Sequence, residues 1–162
     1  MADKAALCFW FEGNAEEAVR LYADTFPETH MNSVQKSQHD WPGGKAGDTM
    51  TVGFTLLGRQ AMALNGGPDA PFTNALTVQV FTDDQAETDR YWSALTADGG
   101  EEMMCSWCKD RFGVPWQIVP RVLMEGLSHD DPDVRKRVNE AMFTMKKIDH
   151  AAIEAAIAGD AQ

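Results

Sequence analysis

The chain has 162 residues, 44% hydrophobic and 24% charged, so it can bury a domain-sized core and is not disordered by composition. Lys and Arg number 14 and Asp and Glu 25, a formal charge of −11, which works against nucleic-acid or anionic-membrane partners because both need clustered cations. The only histidines are His30, His39, His129 and His150, so no chemistry can draw an imidazole from residues 40–128.

The start, Met1-Ala2-Asp3-Lys4, is polar, and the apolar run Ala5 to Phe11 is too short for a signal peptide. No run of about 18 apolar residues suggests a membrane span. Cys8, Cys105 and Cys108 are an odd set and read as free thiols of a reducing, cytoplasmic compartment. Residues 7–11 (Leu-Cys-Phe-Trp-Phe) predict a strand with Leu7, Phe9 and Phe11 on one face and Ala6, Cys8 and Trp10 on the other. Asn14 is placed to cap a helix with apolar positions 15, 18, 19, 22 and 26, ended by Pro27. Strands follow at about 31–37, 48–57 and 60–65, the last two joined by a tight turn at Leu57-Gly58-Arg59.

The pattern then returns 69 residues on. Residues 76–80 predict a strand with Val78 and Val80 facing a helix and Thr77, Gln79 and Phe81 facing away. Asp83 is the expected cap of that helix, which runs through Tyr91 and Leu95 and stops at Gly99-Gly100. Strands are expected at about 101–104, 105–109 and 114–119, with a turn at Asp110–Gly113 and with Gln117 opposite in facing to Trp116 and Ile118. The reading is α+β: two βαβββ modules, about 1–70 and 71–120, paired in one domain. Residues 121–162 form a C-terminal helical extension. There, Pro132 sits near the start of one helix with a stripe of Val134, Val138, Ala141, Met142 and Met145, and a second helix spans about Asp149 to Ala158.

Residues 7–18 (Leu-Cys-Phe-Trp-Phe-Glu-Gly-Asn-Ala-Glu-Glu-Ala) resemble the opening of the PhnB-like, or demethylubiquinone methyltransferase-like, family of the vicinal oxygen chelate superfamily, which includes glyoxalase I, bleomycin-resistance proteins and extradiol dioxygenases. Met62 to Pro68, Asp110 to Pro120 and Met145 to Asp149 are similar too. The resemblance implies paired modules whose curved mixed sheet wraps a cleft, and a homodimer. It also implies a divalent metal held by His, Glu or Gln on the first and last strand of each module. Carried onto this chain, those positions fall at Ala6 (or Leu7), Ala63, Ala75 (or Thr77) and Gln117. Only Gln117 can coordinate, and one neutral amide does not hold a metal. The expectation is therefore no metal site and no cofactor.

Other chemistries read weakly. Cys105-Ser106-Trp107-Cys108 is a C-x-x-C, but it falls in a strand-like stretch whose alternation would send the thiols to opposite faces. The glycine pairs at 43–44, 66–67 and 99–100 do not make the strand–loop–helix that S-adenosylmethionine or a nucleotide would need. Two functions stay open. One is a small-molecule-binding protein without metal, its pocket lined by Cys8, Trp10, Asn65, Gln79, Trp107 and Gln117. The other is a metal-dependent lyase, isomerase or dioxygenase of the same superfamily. Against the pocket, Trp10 and Trp107 also suit core or dimer packing, and Gln79 and Gln117 also suit an ordinary sheet edge.

Overall fold

The alternation read from the first strand is visible in its burial: in β1 (Leu7–Phe11), Phe9 and Phe11 are buried, Trp10 is half-buried and Cys8 is exposed. The computed structural model describes residues 4–159, so residues 1–3 of the polar start lie outside the described residues. The chain divides into two compact units, the first ending at Phe72 and the second beginning at Thr73.

In the first unit β1 is followed by α1 (Ala15–Thr25), β2 (His30–Lys36), β3 (Thr49–Leu56) and β4 (Arg59–Asn65). The sheet order is β1-β4-β3-β2, with β1 parallel to β4 and the other neighbours antiparallel. α1 buries Ala15, Ala18, Val19 and Tyr22, the helical stripe read from the sequence. Phe9 and Phe54 form an aromatic floor for the helix's own Tyr22, with ring centroids 5.9 to 6.4 Å apart. Burying each such ring stabilises the unit by about 2–3 kcal/mol. β3 and β4 are joined by Leu57 and Gly58, with φ of +49° and +76°. Two left-handed residues between the paired Leu56 and Arg59 match the right-handed twist of a hairpin, as the sequence predicts. The start of α1 departs from expectation. Asn14 makes no side-chain cap bond; the Ala15 N–H is instead taken by Asn65 Oδ1 at 3.0 Å, from the far end of β4.

The second unit repeats the order: β5 (Val78–Thr82), α2 (Gln85–Thr96), β6 (Glu101–Glu102), β7 (Trp107–Lys109) and β8 (Pro115–Pro120), arranged β5-β8-β7-β6 with β5 parallel to β8. Two open four-stranded mixed sheets with helices make the expected α+β modules. β5 begins two residues later than predicted. The later start moves the boundary of the strand and leaves the facing of its residues unchanged. Val80 is buried and Gln79 and Phe81 are exposed, as expected.

Three local expectations are corrected. The cap of α2 is Asp84, whose side chain accepts from the Glu87 N–H at 2.7 Å, because Asp83 is engaged by Arg121 Nε at 2.7 Å. The strand expected at 101–104 ends at Glu102, and the one expected at 105–109 begins at Trp107. Between them Cys105 and Ser106 have φ of +59° and +72°. They form a two-residue left-handed turn, so strand alternation does not apply to Cys105.

The tail forms α3 (Arg121–Leu127), α4 (Pro132–Met142) and α5 (His150–Ala158). α4 has Asp131 as cap and Pro132 at its first turn, and α5 runs from cap Asp149 to the left-handed Gly159 (φ +85°). α5 matches the sequence reading, and α4 matches at its start but ends at Met142, so Met145, read as the last residue of its stripe, lies beyond the helix; α3 was not expected. Val134, Val138, Ile148 and Ile153 close a small core on Val119 of β8 and Leu123 of α3, with Ala141, Met142 and Met145 packed against it. Among the described residues, no helix is long and apolar enough to cross a membrane.

Candidate functional site

β5, β8 and β7 are neighbours, and their register sets Gln79 opposite Gln117 and Gln117 opposite Trp107. Residues directly opposite on paired strands share a face. The three therefore form one row across the sheet, on the face opposite to that of Cys108, Trp116 and Ile118, which are wholly buried on the α2 side. Gln79 Nε2 donates to Gln117 Oε1 at 3.3 Å. Beside the row, Trp107 lines an open, largely apolar cavity of about 450 Å³ with Asn74, Met103, Met104 and Cys105. The turn that aims this edge is held from the tail: the Cys105 N–H donates to Met145 O at 2.8 Å and the Ser106 N–H to Lys146 O at 2.9 Å.

The first-unit candidates are arranged otherwise. Cys8 and Trp10 lie opposite Met62 and Leu64 on the outward face, while Asn65, opposite Phe11, lies on the helix side. Asn65 is 4% exposed, and its amide is committed to Ala15 N–H and, through Nδ2, to Thr49 O at 2.8 Å. It braces three elements. Trp10 Nε1 donates to Gly67 O at 2.7 Å, and a Cβ on Gly66 would overlap its indole. Trp41, which the sequence reading passed over, donates from Nε1 to Asn65 O at 2.7 Å. Two indoles thus clamp the 65–67 turn from separate parts of the chain; the cluster Trp-Pro-Gly-Gly at 41–44 is the signal that could have been used. A second open cavity of about 470 Å³ lies at the start of β1, lined by Lys4, Ala5, Ala6, Leu7, Arg59 and Gln60.

The thiols differ in state. Burial raises the Cys8 thiol above its ordinary value. Burial, then the nearby Asp110 and Glu102, push Cys108 up to about 12, so it stays a protonated core thiol at neutral pH. Asp110, itself 2% exposed, accepts from the Phe112 and Val114 N–H groups and from Trp116 Nε1 at 2.9 to 3.1 Å. It shapes the turn before β8.

The donor set does not fit the superfamily's divalent metal. Ala6 precedes β1, Ala63 is fully buried on the α1 side, and Ala75 sits in a turn before β5. The residues flanking Ala63 on the outward face, Met62 and Leu64, offer no hard donor. Among the described residues, no group of three or more His, Cys, Asp or Glu converges. The glycine pairs are also placed: 43–44 in the Trp41 turn, 66–67 after β4, and 99–100 beyond the end of α2, none of them opening a helix.

Residues 3–119 match the family model described as 3-demethylubiquinone-9 3-methyltransferase. The chain belongs to this PhnB-like family. The family lies in the glyoxalase/bleomycin-resistance superfamily. Among solved structures, the PhnB-like chain is similar to a PhnB protein from Bacillus cereus that carries the same methyltransferase description, at 28% identity and a TM-score of 0.65, covering 73% of this chain and 99% of that one. A Pseudomonas aeruginosa protein shares the fold at 21% identity and a TM-score of 0.54, covering 74% and 98% of the two chains. A Staphylococcus aureus protein does so at 11% identity and a TM-score of 0.50, covering 74% and 94%. No curated protein matches the sequence significantly. The family model ends inside β8, so α3, α4 and α5 lie outside it.

Proposed function

We propose that this PhnB-like protein binds a small molecule on its outward sheet faces without a divalent metal. The observation that carries the reading is the chemistry of those faces. Cys8, Trp10, Met62 and Leu64 in the first unit, and Gln79, Gln117 and Trp107 in the second, supply indoles, a thiol, a thioether and neutral amides. Aromatic walls with a few amides suit a small-ligand site. A metal centre needs several imidazole or carboxylate donors held by second-shell partners. The methyltransferase description belongs to the family model and to the Bacillus cereus protein. Here, no glycine pair opens a helix whose N-terminus could receive a nucleotide-like cofactor.

The homodimer implied by the family belongs to the same proposal. The test is elemental analysis of the purified protein, with thermal denaturation in the presence and absence of divalent metals. The expected result is less than stoichiometric metal and an unmoved midpoint. One tightly bound transition metal per chain would overturn the reading in favour of a metal-dependent lyase, isomerase or dioxygenase. Sedimentation at micromolar concentration should give a dimer; a monomer would remove that part.

A further inference from the structure

We infer that the Gln79–Gln117–Trp107 row recognises a neutral, planar ligand carrying a hydrogen-bond donor and acceptor side by side, the chemistry of a cyclic amide or imide. This rests on the small-molecule reading above and names the ligand class for the second unit. Each primary amide offers one carbonyl and two N–H groups. The single bond from Gln79 Nε2 to Gln117 Oε1 consumes one of each kind. The pair is left with one carbonyl and three N–H groups, and turning both amides round leaves the same inventory. Among the described residues, neither side chain has a further hydrogen-bond partner. A ligand edge with one N–H and one C=O complements what remains.

The neighbours decide charge and shape. No ionised side chain stands in the row. Lys109, two residues along from Trp107, is paired with Glu101 at 3.5 Å. An anion would find no free counter-ion there and would meet a chain of −11. A cation would find no carboxylate in the row. Trp107 supplies a flat π-surface beside the amides and also lines the open, shallow apolar depression of about 450 Å³ next to the row. Met103 and Met104 give that depression adaptable, polarisable walls.

The test uses the whole purified chain and four probes: 2-pyridone, its N-methyl analogue, benzoate and toluene. Binding is read by saturation-transfer NMR and isothermal titration. We expect 2-pyridone to bind and the N-methyl analogue, which lacks the donor, to bind about tenfold more weakly. Gln117→Leu should abolish that difference while leaving circular dichroism unchanged, and Gln79→Leu should do the same should the first variant fold poorly. Trp107→Ala should weaken both pyridones together. Equal affinity for the two pyridones, or a difference that survives both Gln variants, would overturn the ligand class and leave small-molecule binding standing. Preference for benzoate or toluene lost in Trp107→Ala would do likewise. If no probe binds in a Trp107-dependent way, the class and the binding reading for this unit fall together.

Discussion

The two units share a strand order and differ in what supports the helix. In the first, α1 sets its own Tyr22 against Phe9 and Phe54, and its ties to the sheet include Asn65 Oδ1, which accepts from the Ala15 N–H, and Thr49 Oγ1, which donates to Glu16 Oε1. In the second, α2 begins over a buried hydroxyl pair, Thr82 Oγ1 and Thr88 Oγ1 at 2.6 Å, and Thr88 Oγ1 lies 2.9 Å from His150 Nε2 of α5. Gln85 extends the link: its Oε1 accepts from the His150 N–H at 2.8 Å, and its Nε2 donates to Ile148 O at 3.3 Å. α2 also buries rings, Tyr91 and Trp92, so the topology tolerates an aromatic floor or an aromatic floor with a polar spine added. The second solution requires partners from outside the module, because buried hydroxyls and amides must find acceptors and donors.

The largest expected effect comes from the second unit's most buried ring. Trp116→Ala should cost about 4 kcal/mol and Phe54→Ala about 3 kcal/mol in urea titrations, since loss of the indole also removes a donor to the buried Asp110. Equal costs would mean that the Asp110 turn adds nothing and the two cores are energetically alike. Next, Gly66→Ala should cost about 2 kcal/mol, because the added methyl must displace the Trp10 indole from its bond to Gly67. Unchanged stability and unchanged tryptophan fluorescence would show that the indole clamp is loose. Smallest is the contrast of hairpin turns. Ser106→Gly should stabilise by about 1 kcal/mol by relieving a left-handed serine, whereas Gly58→Ala should destabilise by about 1 kcal/mol. Both are read as shifts in thermal midpoint, and matching signs would erase the difference between the turns.

Much of this architecture is written in local pattern. Alternation places Phe9 and Phe11 inward and Cys8 and Trp10 outward, and in β5 it places Val80 inward and Gln79 and Phe81 outward whatever the exact start of the strand. Gln79, Gln117 and Trp107 were readable as candidates, but their meeting in one row needed the strand order. What pattern could not supply has physical reasons. α3 has seven residues directly after Pro120, too short for a helical stripe and without a side-chain cap. The Cys105-Ser106 turn lacks the glycine or asparagine that marks a left-handed pair. Asn65 satisfies a helix start 50 residues away, and nothing near it in sequence announces that partner.

The Cys105-Ser106 turn is fixed from the tail. Its two N–H groups point at the carbonyls of Met145 and Lys146, beyond the residue where the family model stops. The tail is therefore a splint for the hairpin. A chain cut at residue 119 would strip Val119 of its apolar cover, leave both turn donors to water and release the edge on which Trp107 stands. In this protein the boundary of the family and the boundary of the folding unit are two different places.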